Sequence, residues 1–253
     1  MEAPGRTAGS AIGQRRVVGI LQARMGSARL PGKTLAQVEG RPVLAWILDR
    51  VRASKALETV VVATTARPED EAILQTAAAA GVSVYAGDPD DVLDRFYHAA
   101  MQAGADVIVR LTADNPFQDP DVIDRVTRAL VAGVDYASNT LEPTYPDGLE
   151  AEAFTFDALA RAWRDATLQF EREHVTPYIK KNPQLFRLEN IRHECDLSQF
   201  RWTLDYEEDL RFTREIYARL ASRGTFRMGD MLELLKREPS LISINAGIPG
   251  GVN

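Results

Sequence analysis

Residues 17–34 read VVGILQARMGSARLPGKT. The run VVGILQ (17–22) predicts a strand buried on both faces. The loop after it carries Arg24, Arg29 and Lys33 and ends in Gly-Lys-Thr, like a Walker A phosphate loop. The spacing is wrong for that motif. A P-loop has four residues between its first Gly and the Gly-Lys-Thr. Here five separate Gly26 from Gly32, and Ser27 stands where the required Gly would be. Three cationic side chains can make charge-assisted contacts to phosphate, bidentate ones in the case of Arg. The loop therefore reads as a polyphosphate site of another kind. The plain alternative is a surface turn with scattered basic residues.

Outward from this loop the strand-then-helix pattern repeats. RPVLAWILDRVRAS (41–54) sets Val43, Leu44, Ile47, Leu48 and Val51 on one helical face. LETVVVATT (57–65), VSVYAG (82–87), DVIVRLTAD (106–114) and VDYAS (134–138) read as strands. PEDEAILQTAAAAG (68–81), DDVLDRFYHAAMQAG (90–104) and DPDVIDRVTRALVAG (119–133) read as helices between them. Apolar strands alternating with helices predict an α/β fold, a mostly parallel sheet covered on both faces. Ligands bind such sheets at the carboxyl ends of the strands, which is where the opening loop lies. The second half is less regular. DGLEAEAFTFDALARAW (147–163) reads as an extended segment entering a helix, and LQFEREHVTPYIKKNP (168–183) has helical periodicity. FRLENI (186–191) and FRWTLD (200–205) read as strands, and YEEDLRFTREIYARLASRG (206–224) as a helix. The expected organisation is a disordered leader at 1–16 and one α/β domain at 17–253. An extended lobe is inserted at about 140–200.

The 253 residues carry a net charge of −6, with 45% hydrophobic and 26% charged residues. That balance is ordinary for a soluble globular chain and argues against a general nucleic-acid binder. Cys195 is the only cysteine, so no internal disulfide is possible and a cytoplasmic location fits. No run approaches the ~20 apolar residues of a membrane span, and the first residues do not resemble a signal peptide.

The candidate chemistry lies at strand ends. Asp114, in RLTADNP, follows a strand and would point into the ligand crevice; a turn role is equally compatible. Triphosphate chemistry requires a divalent cation, and Mg²⁺ commonly takes one or two carboxylates plus phosphate oxygens. Asp205 ends FRWTLD and precedes a helix, so it is either an N-cap or a second metal ligand. The two acids could share an ion if strand 200–204 lies near strand 106–112. ATT (63–65) and AGDPDDVLDR (86–95) fall on the same edge and suit approach to a base and ribose. Plain turns explain both, and Asp88, Asp90 and Asp91 suit a helix start. His98 and His193 have no metal-spaced partner. His174, flanked by Arg172, Glu173 and Thr176, is the more interesting histidine.

Taken in order, ILQARMGSARLPGKTL, RLTADNPFQDPDVID, YPDGLEAEAF, EREHVTPY and WTLDYEEDL resemble the nucleotide-sugar cytidylyltransferases over residues 17 to 220. The branch resembled is the spore-coat-polysaccharide type, related to the acylneuraminate and 3-deoxy-manno-octulosonate cytidylyltransferases. The resemblance implies a Rossmann-like sheet binding CTP and Mg²⁺, with the inserted lobe forming a homodimer. It implies that Arg24, Arg29 and Lys33 hold the triphosphate, with Arg24 and Lys33 catalytic. The implied nucleotide site also takes in Gln22, Ala23, Ser27, Thr64, Asp88, Arg110 and Thr112. Asp114 and Asp205 would hold the metal. Asp147, Gly148, Glu150, Arg172 and His174 would face a small-molecule acceptor. The family's TGDCP is TADNP here (112–116), which leaves Asp114 in place. Gln22 stands where the sialic-acid branch has Pro, which counts against a sialic acid as acceptor.

The reaction implied is transfer of a cytidylyl group from CTP to a sugar, sugar acid or phosphorylated or phosphonate acceptor. Pyrophosphate is released. Three rivals are set aside on the residues. A P-loop ATPase or kinase fails on spacing. A non-catalytic nucleotide sensor would not need both Asp114 and Asp205. A metal-dependent glycosyltransferase would usually show a D-x-D pair where TADNP has one Asp.

Overall fold

The computed structural model describes residues 15–248. The strands and helices of the first half are β1 (Val17–Gln22), β2 (Gln37–Val38), β3 (Arg41–Pro42), α1 (Val43–Arg52), β4 (Thr59–Thr65) and α2 (Glu71–Ala79). They continue with β5 (Ser83–Gly87), α3 (Val92–Ala103), β6 (Val107–Thr112), α4 (Pro120–Arg128) and β7 (Tyr136–Ser138). The second half adds β8 (Glu152–Thr155), α5 (Phe156–Asp165), α6 (Gln169–His174), α7 (Pro177–Lys181), β9 (Leu188–Asn190), α8 (Glu207–Leu220) and α9 (Met228–Arg237). Seven strands form one sheet in the order β5-β4-β1-β6-β8-β7-β9. The pairs β5–β4, β4–β1, β1–β6 and β7–β9 are parallel; β8 runs antiparallel to both β6 and β7. The mostly parallel α/β sheet expected from the sequence is the fold observed.

Successive strand residues face opposite layers. Val60 and Val62 of β4 join the layer of α1, α4, α8 and α9, while Val61 and Ala63 join that of α3, α5 and α7. The α1 stripe Val43, Leu44, Ile47, Leu48 and Val51 is fully buried, as its 3.6-residue spacing requires. The segment at 140–200 joins this same sheet through β8 and β9 and carries α5 to α7.

Four details depart from the sequence reading. Residues 168–183 form two helices, because Val175 takes a left-handed φ of 72° and Pro177 opens α7. FRWTLD is not a strand: it makes one bridge, Arg201 to Asp147, and then bonds to Asp114. The backbone partners it meets lie in two loops, so no ladder can propagate. Beyond residue 224 the sequence reading assigned nothing, yet α9 buries Met231, Leu234 and Leu235 there. Residues 1–14 of the expected leader lie outside the described residues. Arg16 belongs to the fold, since its carbonyl accepts the N–H groups of Asp106 and Val107.

Candidate active site

The cationic loop is shaped by its own short polar residues. β1 pairing runs one residue past the strand, with Ala23 N–H donating to Ala63 O. Buried Asp70 then accepts Met25 N–H at 2.7 Å and the Thr65 hydroxyl, tying the loop to the end of β4. Ser27 Oγ accepts Leu30 N–H, and Thr34 Oγ1 donates to Arg24 O. Gly32, at φ 74°, turns the chain into a 3-10 turn that begins at Lys33. Ser27 and Ala23 therefore build the loop.

Lys33 Nζ sits between the two predicted metal ligands. It lies 2.8 Å from Asp205 Oδ1 and 3.6 Å from Asp114 Oδ2, and it donates to Leu204 O at 2.8 Å. Arg29 meets Asp205 Oδ2 at 2.9 Å and lies over the Tyr206 ring. The acids converge because Leu204 N–H and the Thr203 hydroxyl both donate to Asp114 O. Burial raises the cost of ionising Asp205, but Lys33 and then Arg29 outweigh it and hold its pKa below the usual carboxylate range. The N-cap reading of Asp205 is displaced by Asp209, whose Oδ2 accepts the N–H groups of Asp205 and Tyr206. Arg24 is exposed, and its guanidinium has no partner among the described residues.

The DGLE turn packs against the segment that leads to Asp205. A Cβ on Gly148, at φ 109°, would fall 2.5 Å from the Trp202 carbonyl carbon. Its absence lets the turn lie against the 202–203 backbone, so Gly148 serves packing. Asp147 N–H donates to Phe200 O, and Trp202 N–H donates to Asp147 O at 2.6 Å. Glu150 accepts Gly148 N–H at 2.8 Å and Asn115 Nδ2 at 2.8 Å. Burial, then the charge of Asp147, pushes Glu150 up to about 8. Burial also raises Asp147, against the pull of Arg201.

Other predicted residues have different surroundings. Gln22 Oε1 and Thr64 Oγ1, on neighbouring strands, are buried without a hydrogen-bond partner among the described residues. Thr112 is half-buried at the end of β6. Asp88 closes an Asx turn, its Oδ1 accepting Asp90 N–H at 2.8 Å. Arg172 is locked onto Asp91 at 2.5–3.1 Å and donates to Trp163 O. It clamps α6 to the start of α3 and to the end of α5. Arg110 donates to Glu152, its cross-strand neighbour in β8. Burial lowers the His174 pKa; Glu173 opposes this, and nearby Arg110, Lys180 and Arg24 add to it.

Sequence reasoning missed Arg201 and Asp209. Arg201 makes two bonds to Asp209 at 2.8–2.9 Å and meets Asp147 at 3.3 Å and Asp205 at 3.7 Å. A lone arginine inside FRWTL was the available signal, whereas Asp209 was hidden among the ordinary acids of a helix start. Among the described residues no group of three or more His, Cys, Asp and Glu is arranged to hold a metal. Two carboxylates already gathered on one ammonium do fit Mg²⁺, which takes the rest of its shell from phosphate and water. Among the described residues no helix is long and apolar enough to cross a membrane.

Paired carboxylates and a cationic loop on the carboxyl edge of a largely parallel sheet define a nucleotidyltransferase of the nucleotide-diphospho-sugar transferase fold. The chain belongs to the cytidylyltransferase family, whose model, Cytidylyltransferase, matches residues 18–236. It is similar to the spore coat polysaccharide biosynthesis protein SpsF of Bacillus subtilis, with 33% identity over 87% of this chain and 94% of that one. A 3-deoxy-manno-octulosonate cytidylyltransferase of Anaeromyxobacter sp. is 37% identical over 54% of this chain and 55% of its own. The solved structure of a cytidylyltransferase from Leptospira borgpetersenii superposes with a TM-score of 0.86 at 33% identity. That match covers 90% of this chain and 97% of the other. The protein is thus a cytidylyltransferase.

Proposed function

We propose that the enzyme couples CTP to an anionic sugar acceptor for surface polysaccharide or related biosynthesis. The observation that carries this reading is the single ammonium of Lys33 gathering Asp114 and Asp205 at the mouth of the cationic loop. In the reaction an acceptor oxygen bonds to the α-phosphorus of CTP, and the bond from that phosphorus to the bridging oxygen breaks. Pyrophosphate leaves. Arg24, Arg29 and Lys33 bind the triphosphate and offset charge building on the leaving group. The unmet hydrogen-bonding capacity of Gln22 Oε1 and Thr64 Oγ1 suits a base and ribose. Asp114 and Asp205 would hold Mg²⁺, which supplies charge neutralisation and polarisation of the α-phosphoryl group. Asp147, in its ionised form, would take the proton of a sugar hydroxyl, whereas Glu150, pushed up to about 8, holds its own proton at neutral pH. A phosphate acceptor needs no base. CTP is a cytoplasmic nucleotide, and the reading places the enzyme there.

Exposed Leu168 (57%) and Phe170 (47%) beside α6 support a homodimer formed through this segment. Light scattering checks it; a monomer at micromolar concentration overturns that part. For the reaction, pyrophosphate release is measured with each of the four NTPs and Mg²⁺. The acceptors are 3-deoxy-manno-octulosonate, N-acetylneuraminate and a sugar phosphate. CTP should be preferred; equal use of all four nucleotides overturns the cytidylyl reading.

A further inference from the structure

Glu152 takes no part in the chemistry described so far, yet its carboxylate meets four side chains in the interior. Its side chain is 3% exposed. Oε1 accepts the Tyr136 hydroxyl at 2.5 Å and the Thr176 hydroxyl at 2.7 Å, and lies 3.5 Å from Lys180 Nζ. Oε2 accepts Arg110 Nη1. Burial opposes its ionisation, but Arg110, Lys180 and the two hydroxyls override this and hold it at about 2. A neutral side chain would pack this interior at lower cost, since buried ion pairs rarely improve stability over apolar residues.

The charges do not cancel. One carboxylate faces two cations, Arg110 at 17% and Lys180 at 34% exposure, so one positive charge is left over. Arg110 Nε is buried with no hydrogen-bond partner among the described residues. Arg110 shares a sheet face with Thr112 at the ligand edge, two residues along β6. His174, half-buried, feels Arg110, Lys180 and exposed Arg24 together, opposed by its neighbour Glu173. A surplus positive charge, an orphaned donor and an adjoining imidazole are the requirements of an anion subsite. It lies apart from the ammonium of Lys33, which already serves the two acids.

We infer that Glu152 is a positioning residue that fixes Arg110 and Lys180 as an anion-binding pair, taking a carboxylate or phosphate group of the acceptor. This reassigns Arg110 from nucleotide to acceptor, and it rests on the reading of the protein as an enzyme with an anionic acceptor. Glu152 sets where the two cations sit. Arg110 and Lys180 make the contact.

The test uses metal-free protein saturated with CTP, so that the triphosphate loop is filled, titrated with inorganic phosphate or with acetate. Binding is followed by NMR shifts, and thermal melting verifies folding of each variant. Phosphate or acetate should bind the wild type, the stronger of the two identifying the anion. Lys180→Gln and Arg110→Lys should each weaken that binding about tenfold, with CTP affinity unchanged. Glu152→Asp keeps the charge but draws the anchor back by one methylene, and should weaken it similarly. In turnover these variants should raise acceptor KM and leave CTP KM alone. Anion binding that is absent from the wild type, or unchanged in all three variants, overturns the inference. A rise in CTP KM with acceptor KM unchanged returns Arg110 to the nucleotide and does the same. If CTP fails to bind the wild type even after Mg²⁺ is added, the proposed CTP-dependent reaction is what fails.

Discussion

Two ionic clusters flank the carboxyl edge of the sheet, and they are built with opposite sign. On the α8 side, one lysine gathers two carboxylates, with Arg201 and Arg29 behind them. On the α6–α7 side, one glutamate gathers two cations. In the first, Asp205 is paired through both oxygens, and among the described residues Asp114 Oδ1 is left for a cation carried in by a triphosphate. The second leaves positive charge available to an anion. The contrast also shows in depth: Asp114 is 37% exposed, whereas Glu152 is all but sealed.

The sharpest way to break the comparison is to remove the acids. Asp114→Asn and Asp205→Asn keep shape but lose charge, and each should lower metal-dependent turnover by about a thousandfold. The double variant should lose little more, because the pair acts as a unit. Asp209 already holds the start of α8, so both variants should fold, with Asp205→Asn the less stable of the two because its charge is paired with Lys33 and Arg29. Full activity with unchanged Mg²⁺ dependence in Asp205→Asn sinks the shared-ion arrangement. Lys33→Ala comes next. It removes a cation from the triphosphate and from both acids, so turnover should fall roughly 10- to 150-fold or more. An Ala variant with wild-type kcat and CTP KM removes the loop from catalysis.

How much of this was legible in advance divides along the same line. Loop, sheet and acids came from local patterns: apolar runs, 3.6-residue stripes and an Asp at the end of a strand. Asp205 was recognisable only as one of two things, because its partner Lys33 is remote in sequence. Arg201 and Glu152 were passed over for a related reason. Each is a charged residue inside a buried run, and what it meets is set by strand register and chain crossing rather than by neighbours in sequence. Arg110 and Glu152 become opposites only once β8 turns back antiparallel to β6. Arg172 was legible only in part: its place in EREHVTPY suggested the acceptor, and no local pattern signalled its pairing with Asp91 at the start of α3.

Stability against pH sharpens the comparison from the α6–α7 side. The Glu152 pKa is held at about 2, below its ordinary 4.5. A carboxylate depressed on folding contributes stability that is fully present above about pH 4.5 and is lost as pH falls towards 2. The contribution is about 3 kcal/mol. Urea unfolding of wild type and Glu152→Gln should therefore differ most at pH 6–7 and converge as pH falls from about 5 to 2. A gap that stays constant across that window means the loss is packing alone, and the glutamate is not the ionic anchor described.

The smallest expected effect concerns Asp88, which the family resemblance places on the nucleotide. Its Oδ1 accepts N–H from Asp90 at 2.8 Å and from Asp91 at 3.3 Å, and its carbonyl accepts Arg95 Nη1 at 2.5 Å. Both contacts are local and shape the entry to α3, where Asp91 caps the helix by accepting Asp94 N–H. Asn makes the same Asx turn without the charge. Asp88→Asn should thus leave CTP KM within about twofold, whereas Asp88→Ala, lacking the acceptor, should cost about 0.5–1.5 kcal/mol of stability. If the carboxylate instead receives a hydroxyl of the bound nucleotide, the Asn variant loses a charge-assisted acceptor. CTP KM then rises about tenfold or more with melting temperature unchanged. That outcome would place a third acid on the ligand edge and extend the nucleotide contacts to the β5 end of the sheet, where the structure now gives Asp88 only a turn to hold.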